Sequence, residues 1–230
     1  MAEQWTVLGG WGVAPDILTP VFGKQAHYLD INTFVAKLFE GKSLASDWQQ
    51  RCREKIAMTF GNDKPRFLAG WSTGAMLALA CAEHLSPDVL VLISATPSFC
   101  RTAGFRFGTR SSILATMRDK LATEPLQVVN DFRKQCGLRD KTAALLPWSS
   151  EMLADGLRVL EQLSLFEVKT PACPTLQIHG KDDRIIPYAA GKQLRKQIAS
   201  NLFTLDAPHA CFIGNEEIIR KEIDDFINRM

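Results

Sequence analysis

The sequence contains no stretch that could cross a membrane or direct export. A membrane-spanning helix requires a run of about 18 apolar residues, and no such run occurs. Residues 1–5 do not combine a basic segment with a following apolar one, so they do not form a secretory leader. We therefore expect a soluble, cytoplasmic protein that does not act at a membrane.

An excess of one charge is also absent from the chain as a whole. Its 27 basic and 25 acidic side chains leave a formal net charge of +2, which is too small to indicate binding to nucleic acid or to a membrane surface. Residues 97–147 differ, because they contain nine basic side chains and only four acidic ones. A local positive surface would attract an acidic protein or an anionic substrate, although solvated helix faces give the same pattern.

Paired cysteines are missing as well. The six cysteines are scattered without a C-x-x-C pair, at Cys52, Cys81, Cys100, Cys136, Cys173 and Cys211. A zinc site or a catalytic cysteine would need ligands or partners clustered nearby. We therefore expect reduced thiols and no metal site.

Strand and helix patterns alternate along most of the chain. Apolar runs predict strands at residues 6–8, 27–31, 66–69, 88–94, 174–179 and 202–205. Residues 99–167 contain no convincing strand, and amphipathic patterns there predict helices at 113–121, 126–135 and 150–163. We predict one α/β domain with a mostly parallel, doubly wound sheet of about six strands, whose site lies at the carboxyl ends of the strands. Its core comprises residues 1–96 and 171–230, and residues 97–170 form an inserted helical cap.

Ser72 is the most informative residue of the sequence. It lies in Gly70-Trp71-Ser72-Thr73-Gly74, which has the pattern G-x-S-x-G after a short apolar run. This pattern is typical of a nucleophile elbow, a sharp strand-to-helix turn that exposes a serine hydroxyl while glycines relieve the crowded backbone. Glycines beside a serine also occur in ordinary turns, so the motif needs partners elsewhere in the chain.

A serine nucleophile needs a base to accept its proton and an acid to orient that base. Of the four histidines, His209 lies in the loop between the last predicted strand and the last helix, at the edge of the sheet where sites form. Asp182 and Asp183 follow the preceding strand, and the order Ser, Asp, His is that of α/β-hydrolases. The spacing of the flanking glycine and proline favours Asp183, and Asp182 is the alternative.

Acyl transfer to a serine also needs hydrogen-bond donors for the developing oxyanion. The backbone N–H of Thr73, at the start of the helix after Ser72, is one candidate. The second is the N–H of Trp11, in the glycine-rich turn of residues 9–12 after the first strand. This turn is alternatively a flexible connection, and it lacks the patterns of a phosphate-binding loop.

Together these residues resemble one branch of the α/β-hydrolase superfamily, the pimeloyl-[acyl-carrier protein] methyl ester esterases of biotin biosynthesis. The similar segments are residues 10–12, 70–74, 95–99, 153–160, 171–187 and 207–210. The tryptophan before Ser72 and the segment 153–160 are the specific parts, whereas the three catalytic residue types are generic. Gly9 departs from the family, which usually has a histidine there, and the antiparallel strands that usually precede this turn are not expected.

The resemblance implies a cofactor-independent carboxylic ester hydrolase that cleaves the methyl ester of a pimeloyl group carried by acyl carrier protein. The residues that it implies as nucleophile, acid and base are Ser72, Asp183 and His209. Those that it implies at the oxyanion and substrate site are Trp11, Thr73 and Phe132, the last at the start of the cap segment facing the acyl chain. The cap arginines that would contact the acidic carrier are Arg110, Arg118, Arg133 and Arg139.

Two other functions fit the same motifs. An elbow and a triad do not select the leaving group, so the chain could be a thioesterase or a short-chain carboxylesterase of other specificity. A hydrolase-fold binding protein without activity is the alternative of another class. The presence of all three catalytic residue types favours an enzyme.

Overall fold

The computed structural model of the chain describes residues 4–59, 66–138 and 144–230. The strands are β1 (Gln4–Leu8), β2 (His27–Leu29), β3 (Phe39–Glu40), β4 (Ser43–Leu44), β5 (Arg66–Trp71), β6 (Val89–Ile93), β7 (Thr175–Gly180) and β8 (Asn201–Leu205). The α-helices are α1 (Thr19–Phe22), α2 (Trp48–Ala57), α3 (Thr73–Leu85), α4 (Ser111–Leu121), α5 (Pro125–Gln135), α6 (Ser150–Gln162), α7 (Tyr188–Ile198) and α8 (Glu216–Asn228). Within the described ranges, none of the helices combines the length and apolar character needed to cross a membrane.

Six of the strands form one parallel sheet in the order β2-β1-β5-β6-β7-β8. β6 has the sequence Val-Leu-Val-Leu-Ile, and both β6 and β7 are buried at every position. Such continuous burial is typical of a parallel strand that has helices on both faces of its sheet. The doubly wound parallel sheet predicted from the sequence is confirmed.

The order of the strands reverses beside β1. β2 lies on one side of β1, whereas β5 and the later strands of this sheet lie on the other side. An open α/β sheet leaves a crevice at the carboxyl ends of its strands at such a point. The turn of residues 9–12 follows β1 and Ser72 follows β5, so both lie at this crevice.

Short elements between β2 and α2 were not expected from the sequence. Phe39–Glu40 pairs antiparallel with Ser43–Leu44, and 3-10 helices occupy Ile31–Thr33 and Val35–Leu38, in addition to one at Pro15–Leu18. β2 ends at Leu29 rather than at residue 31, because Oδ1 of Asp30 accepts a hydrogen bond from the Asn32 amide (3.0 Å). This Asx turn bends the chain out of the sheet.

The cap helices α4, α5 and α6 lie between β6 and β7 in the chain. The amide of Leu165 donates to the carbonyl oxygen of Pro97 (2.8 Å), so the chain enters and leaves the cap side by side. Trp11 Nε1 donates to the carbonyl oxygen of Leu153 in α6 (2.8 Å), which places the cap over the end of β1. The division of the chain at residues 97 and 170 stays a prediction.

Candidate active site

Ser72 occupies the turn between β5 and α3 in a backbone conformation that residues with side chains rarely adopt. Its φ is 56° and its ψ is −121°, and its amide donates to the carbonyl oxygen of Ile93 (2.9 Å). A Cβ on Gly70 would lie 2.5 Å from the carbonyl carbon of Gly74, so the turn requires glycine there. Strained positions of this kind persist only where the surrounding structure fixes them. The chain therefore has the strand-to-helix elbow that the motif predicts.

The first turn of α3 touches the end of β1. α3 begins at Thr73, and the first amides of a helix have no carbonyl acceptor within it and lie at its positive end. A Cβ on Gly74 would overlap with the carbonyl oxygens of Leu8 and Gly9, so the glycine permits this close approach. The two amides predicted to bind an oxyanion, those of Thr73 and Trp11, consequently belong to neighbouring segments.

His209 is buried, and two hydrogen bonds fix its backbone. Its carbonyl oxygen accepts from Ser94 Oγ (2.8 Å) and from Trp71 Nε1 (3.2 Å). Its ring Nδ1 lies 2.8 Å from Oδ2 of Asp183. Its Nε2 is buried without a hydrogen-bond partner among the described residues, so the Ser72 hydroxyl is not bonded to it here. Catalytic hydrogen bonds often tighten only when substrate is bound.

Asp183 is oriented by the backbone as well as by the histidine. Its Oδ1 accepts hydrogen bonds from the amides of Ile185 and Ile186, both at 2.8 Å. Burial alone would raise the pKa of Asp183, but the charge and hydrogen bond of His209 and the hydrogen bond from the Ile186 amide help to outweigh burial and lower it. Asp182 is exposed. Of the two aspartates that the sequence left open, the structure thus brings Asp183 to His209.

His179 is a second buried histidine beside Asp183. Its Nε2 donates to the carbonyl oxygen of Ile186 (2.8 Å) and lies 3.5 Å from Oδ2 of Asp183. Its Nδ1 is buried against Gly191 and has no hydrogen-bond partner within the described ranges. Burial lowers the pKa of His179, although the charge of Asp183 opposes this effect. We therefore assign a neutral ring with its proton on Nε2.

We expect His179 to make the stability of the protein depend on pH. Because its pKa is lower in the folded protein than its usual value of 6.5, the unfolded chain binds the proton more readily. The free energy of unfolding should be greatest above pH 6.5 and decrease as the pH falls towards the lowered pKa. In His179→Gln, whose side-chain amide can still donate to Ile186, this decrease should be smaller.

Urea unfolding at a series of pH values measures the effect. His84→Gln is the matched control, because His84 is exposed and its replacement should leave the decrease unchanged. An equal decrease in wild type and His179→Gln would contradict the assignment of the pH effect to His179.

Trp11 is fully buried beneath the cap. Its ring meets Phe132 of α5 edge-on, with the ring centroids 5.0 Å apart. A Cβ on Gly156 of α6 would overlap with the Trp11 ring, so this glycine allows α6 to approach the turn. The segment 153–160, which carries part of the family resemblance, therefore holds Trp11 through a backbone carbonyl and a glycine.

Arg133 requires a correction to the predicted carrier surface. Only 9% of Arg133 is exposed, and its Nε donates to the carbonyl oxygen of Gly12 (2.9 Å). Burial lowers the pKa of its guanidinium. On α5 it follows Phe132 and lies near Val129, both buried, so it is directed into the protein rather than towards a carrier.

The other three predicted carrier-binding arginines differ in their surroundings. Arg110 is exposed directly before α4. Arg118 is partly buried and forms an ion pair with Glu161 of α6 (2.5 Å). Arg139 lies outside the described residues. Of the three that the structure describes, Arg110 is therefore the best placed for contact with a partner.

Two adjoining spaces lie in the cap. A cavity of about 180 Å³ has a mainly apolar lining from the cap and reaches Ile185, two residues after Asp183. A groove of about 370 Å³ between α4 and α5 shares with it the residues Ile113, Met117, Phe132 and Gln135. Phe132 thus lines both spaces and also contacts Trp11, which places it between the turn of residues 9–12 and the groove.

No protein-family model matches the chain. The AB hydrolase superfamily protein YisY of Bacillus subtilis is 26% identical over 176 residues, which cover 70% of this chain and 66% of that protein. The pimeloyl-[acyl-carrier protein] methyl ester esterase of Nitrosomonas europaea is 29% identical over 167 residues, which cover 65% of this chain and 66% of that protein. The matched part therefore spans slightly less than two thirds of the length of either relative.

Solved structures give the fold. The esterase EaEST from Exiguobacterium antarcticum superposes with a TM-score of 0.76 over 98% of this chain and 92% of its own, at 18% identity. At this identity the likeness shows the fold alone. The chain has the α/β-hydrolase fold, and the predicted resemblance to α/β-hydrolases and to pimeloyl-[acyl-carrier protein] methyl ester esterases is confirmed.

Proposed function

We propose that this chain is a serine carboxylic ester hydrolase that forms an acyl-enzyme on Ser72. The observation that carries the proposal is the buried pair of Asp183 and His209 beside the elbow. The distance of 2.8 Å between Nδ1 and Oδ2 supports a proton on Nδ1, which leaves Nε2 as the base. The imidazole packs against Trp71, the residue before Ser72, with the ring centroids 5.4 Å apart.

In the first half of the proposed reaction, Nε2 of His209 takes the proton of Ser72 as Oγ bonds to the ester carbonyl carbon. The carbonyl oxygen becomes an oxyanion, and the N–H groups of Thr73 and Trp11 are its donors. When the tetrahedral intermediate collapses, the bond to the alkoxy oxygen breaks and that oxygen takes the proton from Nε2. The products of this half are an alcohol and the acyl-enzyme.

In the second half, water replaces the alcohol. Nε2 of His209 removes a proton from the water as its oxygen bonds to the acyl carbon. Collapse of the second intermediate breaks the bond to Oγ, which regains its proton from His209. Asp183 stays ionised throughout, consistent with its lowered pKa, and stabilises the imidazolium that forms in each half.

As substrate we propose the methyl ester of a pimeloyl group on acyl carrier protein. The Nitrosomonas europaea relative is named as an esterase of this ester. The mainly apolar cavity beside Ile185 is suited to an acyl chain, and the groove that adjoins it offers a path to the cap surface. Exposed cap cations such as Arg110 supply charge opposite to that of an acidic carrier.

Methanol release from pimeloyl-[acyl-carrier protein] methyl ester tests this proposal. We expect kcat/KM at least about tenfold higher than for a carrier-free pimeloyl methyl ester, because electrostatic attraction raises the association rate. Arg110→Glu should reduce this advantage without affecting the carrier-free ester. The matched control is Lys24→Glu, which reverses an exposed charge that precedes β2, at the amino end of this strand and outside the cap.

The same assay with a pimeloyl thioester distinguishes the alternatives. Faster hydrolysis of the thioester would replace the proposed ester activity with that of a thioesterase. Equal turnover with and without the carrier would contradict the proposed partner and leave a carboxylesterase of other specificity. No turnover of any ester or thioester, together with no labelling of Ser72 by a fluorophosphonate, would favour a non-catalytic binding protein.

A further inference from the structure

The turn of residues 10–12 is held by a side chain from another part of the chain. Asn32, in the 3-10 helix after β2, is completely buried. Its Oδ1 accepts from the amide of Gly12 (3.0 Å), and its Nδ2 donates to the carbonyl oxygen of Gly10 (3.4 Å). One amide side chain therefore contacts the backbone on both sides of Trp11.

The orientation of the Asn32 amide is itself fixed. Oδ1 of Asp30 accepts from the backbone amide of Asn32 (3.0 Å) and from its Nδ2 (2.9 Å). Oδ2 of Asp30 accepts from Trp148 Nε1 (2.7 Å). Because a carboxylate only accepts hydrogen bonds, Nδ2 must face Asp30, and Oδ1 is left for Gly12.

This contact determines where the N–H of Trp11 is directed. In a trans peptide the C=O and the following N–H lie on opposite sides of the chain. The carbonyl of Gly10 is directed towards Asn32, so the N–H of Trp11 is directed away from it. On the next peptide, the N–H of Gly12 donates to Oδ1 of Asn32 (3.0 Å), and Arg133 holds the carbonyl of Gly12 in the peptide after that (2.9 Å). The turn therefore has fixed peptide planes on both sides of the Trp11 side chain.

We propose that Asn32 is a positioning residue that directs the N–H of Trp11 at the oxyanion, and that Asp30 orients Asn32 for this task. The inference rests on the proposed function, because only a reaction through an oxyanion uses that N–H. Gly9 has no side chain that could support the turn, and a Cβ at Gly9 would lie 2.9 Å from Cβ of Pro15. The turn is therefore supported by Asn32, which is distant in the sequence, rather than by a side chain at position 9.

Asn32→Leu is the first variant, because leucine has the same branched arrangement of side-chain heavy atoms and forms neither hydrogen bond. Loss of one oxyanion donor lowers kcat by about 10²- to 10³-fold, so we expect kcat for a carrier-free ester to fall about 10²-fold. KM should stay within about twofold, because the ground-state ester makes little use of the donor.

Inhibitor binding gives a second readout for Asn32→Leu. The affinity for an alkyl boronic acid, whose adduct with Ser72 resembles the tetrahedral intermediate, should fall by a factor similar to that for kcat. The affinity for the corresponding uncharged amide should not change.

Thr33→Val is the matched control. Thr33 lies in the same 3-10 helix, and its Oγ1 donates to the carbonyl oxygen of Asp30 (2.7 Å) without contact to the turn. This variant should keep the wild-type kcat and the wild-type ratio of the two inhibitor affinities. A decrease equal to that of Asn32→Leu would overturn the proposal, because the loss would then reflect damage to the helix.

Other results with these variants also test the positioning role of Asn32. A folded Asn32→Leu protein with wild-type kcat, or with equal weakening of both inhibitors, would overturn the positioning role while leaving the esterase intact. If Asn32→Leu does not fold, Trp148→Phe decides, because it removes the N–H that donates to Asp30 and keeps an aromatic ring there, with Asn32 itself unchanged. It should lower boronic acid affinity and kcat together, and no change in either would overturn the proposal. A wild-type protein that is inactive and is not labelled by a fluorophosphonate would contradict the proposed function itself, and the role of Asn32 would then have no basis.

Discussion

Ser72→Ala is expected to lower kcat for ester hydrolysis by about 10⁴-fold or more, because no other group then bonds to the acyl carbon. The fold should survive, since alanine keeps the Cβ and experiences the same backbone strain at a φ of 56°. The free energy of unfolding should change by no more than about 1 kcal/mol. Steady-state kinetics with a pimeloyl methyl ester and urea unfolding measure the two quantities.

A second buried serine supplies the control for Ser72→Ala. Ser98 is 4% exposed, and its Oγ donates to the carbonyl oxygen of Cys100 (2.9 Å) at the entrance to the cap. Ser98→Ala removes the same atom from a similarly buried site, and kcat should remain within about threefold of wild type. Retained activity in Ser72→Ala would refute the acyl-enzyme. So would a fluorophosphonate label on any residue other than Ser72.

The strain at Ser72 shows why the elbow could be predicted from local sequence. The conformation needs small residues two positions before and after the serine, and those requirements appear as Gly70 and Gly74 in the sequence itself. The strands of the sheet could also be predicted from local sequence, because a strand buried on both faces has a continuous apolar run such as that of β6. Features whose physical causes lie among a few neighbouring residues were therefore predictable.

Asn32, His179 and Arg133 could not be assigned in the same way. The partners of Asn32 and Arg133 in the turn are 20 and 121 residues distant from them along the chain. An arginine on an amphipathic helix usually indicates a solvated face, and only the tertiary packing of α5 shows that Arg133 faces the carbonyl of Gly12. The sequence gives residue types, whereas these roles depend on which backbone groups the fold leaves to be satisfied.

The choice between Asp182 and Asp183 could be predicted only in part from local sequence. Spacing favoured Asp183 without excluding its neighbour, because both follow β7 directly. What separates them is the turn, in which the amides of Ile185 and Ile186 bind Oδ1 of Asp183 and direct its Oδ2 at His209. Asp182 is left exposed. The same substitution at these two adjacent residues is therefore expected to have very different effects on activity.

Asp183→Asn is expected to lower kcat about 10⁴-fold while Asp182→Asn stays within about twofold of wild type. In Asp183→Asn, the side-chain oxygen can still accept from Ile185 and Ile186, which turns the NH₂ group towards Nδ1 of His209. Nδ1 must then accept a hydrogen bond, so the imidazole proton moves to Nε2, which can no longer take the proton of Ser72.

The tautomer of His209 distinguishes loss of the base from loss of structure. Because the lowered pKa keeps Asp183 ionised in the wild type, the ratio of wild-type to Asp183→Asn kcat should remain large at every pH between about 6 and 9. The nitrogen-15 chemical shifts of His209 should show the proton on Nδ1 in wild type and in Asp182→Asn, and on Nε2 in Asp183→Asn. Unchanged shifts with a large loss of kcat would mean that Asp183 acts by charge alone. A large loss in Asp182→Asn instead would transfer the role of the acid to that residue and contradict the geometry of the β7 turn.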